Sequence, residues 1–315
     1  MIIGVDLGGM SAKAAVLSEE GLLGKARIET SVDRSIEQTA SDLARLCKQA
    51  AVNAGVPFDK IEAIGIGSPG VIDSSTGTVV SWTNFFWKDV PLGSLVSNLL
   101  QKPCFVTNDA NAAALGEAKF GAGKNYSDSV FVTIGTGVGG GIVIDGKLFE
   151  GYKSAGAELG HTVIRQNGEL CTCGRRGCFE RYASTSALIR LTREKMKENT
   201  KSAMWKFAET VDDVDGRTSF LAAKQGDESA KKVITEFIAA LGEGIANVVN
   251  LLRPQAIIIG GGISAEGDVL LKPLKDYVYA NIYVAKEYAP LEIVCAELGN
   301  DAGLYGAAVY AQEHL

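Results

Sequence analysis

The chain has no excess of positive charge. Across 315 residues the acidic side chains outnumber the basic ones, for a net charge of -6 and a pI near 5.2. A surface built for nucleic acid is normally basic, so the balance argues against that partner and favours solubility. Long apolar runs are missing too, and none approaches the about 20 residues that a membrane span requires. The N-terminus, Met1-Ile2-Ile3-Gly4-Val5-Asp6, lacks a basic n-region and meets an acid at once, unlike a signal peptide. A cytoplasmic protein is expected, in which the sequon Asn125-Tyr126-Ser127 is inert. Six cysteines in a reducing compartment do not make a disulfide framework. Cys47, Cys104 and Cys295 sit in apolar elements and read as buried small hydrophobes. Histidine is scarce, with two in all, and one of them, His161, lies close to the other three cysteines.

What is present is an ordinary globular composition, 46% hydrophobic and 22% charged, long enough for two modest domains. Ile2 to Val5 is a strand, followed by a Gly turn and a second apolar stretch, Ala12 to Leu17. Ile36, Ala40, Leu43, Cys47 and Ala50 recur at helical spacing, and Gly55 and Pro57 end that helix. Ile61 to Ile66 is a buried strand leading into Gly67-Ser68-Pro69-Gly70. Pro103 to Thr107 is another, which delivers Asn108 and Asp109 ahead of an Ala-rich helix over Ala110 to Phe120. Val130 to Ile134, a Gly turn over 135–141 and Ile142 to Ile144 then repeat the opening pattern, which suggests an internal duplication. Residues 181–228 read as helical insertions. Val233 to Leu252 is a long helix stopped by Pro254, Ala256 to Ile259 a strand, and Ala302 to Glu313 a last helix.

Gly135-Thr136-Gly137-Val138-Gly139-Gly140 contains a G-x-G-x-x-G match. A dinucleotide fold needs a helix to open there, whereas an apolar strand follows, so that reading is rejected. A Gly-rich hairpin still exposes backbone N–H groups that can cradle phosphate oxygens. Three such loops follow apolar strands: Gly8-Gly9, Gly135 to Gly141, and Gly260-Gly261-Gly262. Asp6, at the end of an apolar strand, suits the orientation of a metal ion or water. His161, Cys171, Cys173 and Cys178 have the donors and spacing of a closed, structural zinc site. Glu158 and Glu180 flank it, either as sugar contacts or as partners that orient the metal ligands. Asp109 is either the N-cap of the next helix or a base for a hydroxyl attacking a phosphoryl group.

Together these motifs resemble the ROK sugar kinases, bacterial glucokinases above all. The likeness rests on Asp6-Leu7-Gly8-Gly9, Gly67-Ser68-Pro69-Gly70, Asn108-Asp109-Ala110-Asn111-Ala112-Ala113, and Ile134 to Gly141. It also includes Gly156-Ala157-Glu158-Leu159-Gly160-His161, Cys171 to Glu180, and Gly260-Gly261-Gly262. The resemblance implies an actin-like ATPase (ribonuclease H-like) fold: two α/β domains with an interdomain cleft for the sugar. The expected division is 1–108, joined by a closing helix over 301–315, and 109–300 with the zinc loop. Asp109 matches the family's catalytic base. Asn108, Glu158, His161 and Glu180 match sugar contacts, with Gly70 and Asn84 as further candidates. Gly8, Gly9, Thr136 and Gly137 match phosphate loops, and Gly260 to Gly262 the adenosine end. One position departs: Met10 stands where the family has Thr or Ser, so a hydroxyl is lost from the first phosphate loop.

The expected activity is transfer of phosphate from ATP, with Mg²⁺, to the 6-hydroxyl of glucose, with Zn²⁺ structural and a homodimer as the assembly. N-acetylmannosamine, fructose and allose kinases are alternatives of the same type. A sugar-responsive repressor is the rival from another class, but its helix-turn-helix would have to precede a phosphate hairpin that begins at residue 2. A sugar sensor without catalysis is a third reading.

Overall fold

The apolar N-terminal strand β1 (Ile2–Leu7) is buried along its length except at half-buried Asp6. A strand covered on both faces reads as a continuous apolar run, and the structure shows why. The computed structural model describes residues 1–315. After β1 come β2 (Ser11–Ser18), β3 (Gly21–Glu29), α1 (Ile36–Asn53) and β4 (Ala63–Ser68). A hairpin region follows, β5 (Val71–Asp73), β6 (Thr78–Trp82) and β7 (Trp87–Val90), then α2 (Leu92–Leu100), β8 (Cys104–Asn108) and α3 (Asp109–Phe120). Next are β9 (Ser129–Ile134), β10 (Val138–Ile144) and β11 (Lys147–Phe149). The later elements are α4 (Glu180–Ala183), α5 (Thr185–Glu198), α6 (Thr218–Lys224), α7 (Glu228–Leu252), β12 (Ala256–Gly260), α8 (Asp268–Asn281), β13 (Glu292–Cys295) and α9 (Ala302–Glu313).

The duplication read from the repeated hairpin is realised in topology. One five-stranded sheet runs β3-β2-β1-β4-β8 and the other β11-β10-β9-β12-β13, the same order of roles in each. In the first, β1 pairs antiparallel with β2 and parallel with β4, and β4 pairs parallel with β8. In the second, β10 pairs antiparallel with β11, and β12 pairs parallel with β13. The strand expected over Ile142 to Ile144 is there and begins earlier, at Val138 inside the stretch read as a turn, so no helix opens on the Gly-rich turn.

Two compact units divide the chain. One comprises Met1–Phe131, Gly141–Ala157 and Ala296–Leu315, the other Val132–Gly140 and Glu158–Cys295. In the first unit, alternation along β1 sends Ile3, Val5 and Leu7 to a core with Leu43, Leu46, Cys47 and Ala50 of α1. Each such Ile, Val or Leu side chain contributes roughly 1.5–3 kcal/mol by leaving water. The opposite face is covered by α9, and Gly65 on β4 makes the approach possible: a Cβ there would lie 1.7 Å from the Ala307 carbonyl oxygen. Ser35 starts α1 with a reciprocal capping box to Gln38. The β5-β6-β7 sheet, which periodicity does not reveal, is held by aromatics. Trp82 stacks on Phe85 at 3.9 Å, and Trp87 meets both rings edge-on.

In the second unit the expected long helix is α7. By length and composition alone it could cross a membrane, which a search for unbroken apolar runs does not register. Its most apolar stretch is 67% buried inside the protein, with Phe237, Leu241 and Ile245 fully enclosed, as in a core helix. Residues 181–228 contain the expected helices, α4, α5 and α6, with two 3₁₀ turns and irregular chain between α5 and α6.

Candidate active site

In the first unit, β1 and β2 meet in the tight hairpin Gly8-Gly9-Met10. The Gly8 N–H donates to the Ser11 carbonyl at 3.0 Å, and the Thr30 hydroxyl closes onto the Gly8 carbonyl at 2.8 Å. No neighbour lies within 4 Å of where a Gly9 Cβ would be, so a ligand can approach the backbone there. Met10 is 86% exposed. Asp6 faces Lys13 across the hairpin, with 3.6 Å between Nζ and Oδ2. Burial pushes the Asp6 carboxyl up from its ordinary range, and the Lys13 ammonium opposes that shift. Sequence reasoning missed Lys13, although counting residues outward from the Gly turn pairs 6 with 13.

At the end of β8 the structure separates the two roles considered for Asp109. The cap of α3 is Asn108, whose Oδ1 accepts from the N–H groups of Ala110 and Asn111 at 2.9 and 3.2 Å. Asp109 is the first residue of the helix, not its cap. Asn108 Nδ2 donates to the Gly70 carbonyl at 3.2 Å, which brings three of the candidates, Gly70, Asn108 and Asp109, together. Asn84 is exposed on a 3₁₀ turn over Thr83–Phe85, beyond the β6 residue Ser81 that pairs with Val71. No hydrogen bond joins it to Asn108.

In the second unit, His161, Cys171, Cys173 and Cys178 converge, with their donor atoms all within 4.8 Å of one another. His161 Nδ1 lies 3.7 Å from Cys171 Sγ, and Cys173 Sγ 3.6 Å from Cys178 Sγ. Tetrahedral bonds of about 2.3 Å place thiolate donors about 3.7 Å apart, so these spacings fit an enclosed divalent ion. Backbone hydrogen bonds shape the loop, among them Cys171 N–H to the Arg175 carbonyl and Gly177 N–H to the Glu169 carbonyl, both at 2.8 Å, with isolated bridges at Val163–Cys178 and Leu170–Arg176. Burial, then the Glu180 carboxylate, push the Cys171 thiol up to about 12, while the Arg175 N–H holds Cys173 below its ordinary value.

Glu180 opens α4, and its two oxygens have different neighbours. Oε1 accepts from Cys171 Sγ at 3.0 Å and lies 3.9 Å from His161 Nδ1. Oε2 would sit 2.6 Å from a Cβ added at Gly137, so a larger residue there would push the carboxylate aside. Glu158 and His161 are joined by one 3₁₀ turn, in which the His161 N–H donates to the Glu158 carbonyl at 3.1 Å. Glu158 itself is exposed. The Gly135 and Thr136 carbonyls accept from the Thr185 N–H and the Ser186 hydroxyl, both at 2.8 Å, which turns that side of the loop toward α5. Gly261 packs against the strand feeding the same loop. It has φ +83°, and a Cβ would lie 2.2 Å from the Ile134 carbonyl oxygen. Gly260 ends β12 and Gly262 begins a 3₁₀ turn.

The segment before Glu158 carries strain. Ala157 has φ 62°, a conformation that costs an L-residue about 1–2 kcal/mol. Ala157→Gly should therefore raise the unfolding free energy by about 0.5–1 kcal/mol after the extra chain entropy of glycine. Chemical denaturation measures this, and a destabilised variant would mean that the methyl group packs usefully.

The geometry has the parts of a phosphoryl-transfer site: Gly-rich hairpins, a carboxylate at a strand end and a polar cluster beside a donor-rich loop. The model of the ROK family matches residues 2–314. A glucokinase from Thermotoga maritima is 38% identical, over 100% of this chain and 98% of its own length. The solved ROK family glucokinase from Streptomyces griseus, in complex with glucose and AMPPNP, is 35% identical with a TM-score of 0.82, covering 99% of each chain. A xylose repressor from Caldicellulosiruptor bescii is 33% identical over 97% of this chain and 76% of the repressor. On these matches, and on the actin-like duplication of its sheets, the chain belongs to the ROK family.

Proposed function

We propose that the protein is a glucokinase, transferring the γ-phosphoryl group of ATP to the 6-hydroxyl of glucose to give glucose 6-phosphate and ADP. The observation that carries this is Asp109 at the end of β8, with its helix already capped by Asn108. Asp109 takes the hydroxyl proton as the sugar oxygen bonds to the γ-phosphorus and the bond to the β-phosphate oxygen breaks. Little else is asked of the protein beyond position and charge. Asn108 gives one amide N–H to Gly70, so its second can reach a sugar oxygen. Glu158, His161 and Glu180 offer acceptors and a ring nitrogen to the remaining hydroxyls.

The N–H groups of Gly9, Thr136 and Gly137 hold phosphate oxygens, Gly8 closes the turn that presents them through its bond to Ser11, and Asp6 would face the magnesium that accompanies ATP. Gly260 to Gly262 take the adenosine end. His161, Cys171, Cys173 and Cys178 suit zinc. Four protein donors leave it no open position, so it supplies rigidity rather than activated water. A cytoplasmic setting is consistent with three free cysteines in one loop.

ADP release should be measured over D-glucose, N-acetylmannosamine, fructose and allose. Glucose should give the highest kcat/KM. A higher value for another sugar would reassign the substrate, and no turnover on any would point to a sensor, as the likeness to xylose repressors also allows. Met10 bears on that choice. Because its side chain projects into solvent, Met10→Thr leaves no void behind. A regained neutral hydrogen bond is worth about 0.5–1.5 kcal/mol. Turnover per ATP should rise about 2- to 12-fold with the glucose KM unchanged. Kinetics in each substrate would expose a failure as an unchanged ATP dependence.

A further inference from the structure

Glu150 belongs to none of the motifs above, yet three hydroxyls converge on its carboxylate. Thr107 Oγ1 donates to Oε1 at 2.8 Å, and Ser74 Oγ and the Tyr310 hydroxyl both donate to Oε2 at 3.1 Å. Thr107 is fully buried and Tyr310 nearly so. Burial first, and then the adjacent carboxylate charge, push the Tyr310 phenol up, which keeps it a donor. Ser74 is tied onward to Ser154: its N–H donates to Ser154 Oγ at 3.3 Å, and the two hydroxyls are hydrogen-bonded to each other. Hydrogen bonds to an ionised acceptor are about twice as strong as neutral ones.

The partners come from four places, and two of them lead directly to candidate site residues. Thr107 immediately precedes Asn108 and Asp109. Ser154 lies in the segment that runs from Glu150 to Glu158, three residues before the chain leaves the first unit. In that segment Lys153, Ser154 and Ala157 have φ of 52°, 56° and 62°, none of them glycine. Such a backbone persists only where its surroundings over-determine it. Here the restraints are visible, because the Glu150 carbonyl also accepts from the Gly156 N–H at 2.8 Å.

We propose that Glu150 is a positioning residue for sugar binding: it ties the strained segment that presents Glu158 and His161 to the strand end that presents Asn108 and Asp109. The inference rests on the sugar-kinase reading of those four residues. With the charge gone, one carboxylate oxygen becomes an N–H₂ group facing hydroxyl donors, and the segment loses its anchor.

The test is Glu150→Gln, with Tyr310→Phe as the milder change that removes a single donor. In Glu150→Gln the glucose KM and the equilibrium dissociation constant for glucose should each rise about tenfold, with the ATP KM within about twofold of the parent. Amide exchange over residues 151–157 should quicken by a similar factor while α1 keeps its protection, a pattern that general destabilisation does not produce. Tyr310→Phe should move the same quantities in the same direction by less, and it decides the matter if Glu150→Gln does not fold. A glucose KM unchanged in the variants overturns the proposal, as does a fall in kcat alone. If the parent protein phosphorylates no hexose, it is the kinase reading that fails. Glucose binding and amide exchange then still decide whether Glu150 positions the segment.

Discussion

Asp109→Asn should lower kcat by roughly 10²-fold or more, the scale expected for loss of a general base. The substitution keeps the shape of the side chain and removes its charge and its basicity. The stability cost is small for a reason the structure supplies: Asn108 caps α3, so the cap survives. What is lost is the attraction between a carboxylate and the first turn of a helix, about 0.3–1 kcal/mol. Glucose affinity should hold within a few-fold, since the asparagine can still hydrogen-bond to the sugar. Single-turnover kinetics and glucose titration measure the two quantities separately. A variant that retains half of the parent turnover would remove Asp109 from the chemistry.

The second large effect should come from the donor cluster. Protein purified without added metal should contain one zinc per chain, and Cys171→Ser should lose most of it. Zinc binding to small structural sites is worth about 10–16 kcal/mol in peptides, and the loop's own hydrogen bonds, at about 0.5–1.5 kcal/mol net each, are the weaker restraint. Because Glu180 Oε1 lies 3.0 Å from Cys171 Sγ, loosening the loop should also displace that carboxylate. The expected outcome is a glucose KM at least about tenfold higher, with the ATP KM nearly constant. Elemental analysis paired with kinetics checks both parts. Full activity in metal-free protein would show that the loop needs no ion to hold Glu180.

Much of this arrangement was legible in the sequence, because local signals specify it. The period of Ile36 to Ala50, the stop at Pro254 and the Gly-rich turns each depend on a few neighbouring residues, and each is found, although β10 begins at Val138, inside the stretch read as a turn. The metal donors were legible for the same reason, since four rare side chains lie within one short loop. The cap of α3 was not. Asn108 and Asp109 are both good capping residues, and only the path of the backbone decides between them. The β5-β6-β7 sheet escaped notice because its strands are three to five residues long and its order comes from Trp82, Phe85 and Trp87 packing in three dimensions. Glu150 left no local trace at all, as its partners at 74, 107 and 310 are scattered along the chain.

The contact between α9 and the first sheet has a consequence for how the protein comes into being. Gly65 meets the Ala307 carbonyl, and Ile2 and Ala63 share a core with Ala308 and Ala311. As synthesis proceeds from the N-terminus, β1, β2 and β4 emerge first and have one bare apolar face until residues 302–313 follow. Contacts so distant along the chain slow folding, and an uncovered sheet face during that interval invites aggregation. The nascent chain thus waits for α9 to cover the second face of its first sheet, and a ribosome stalled shortly before residue 302 would leave a chain ready for a chaperone or a protease.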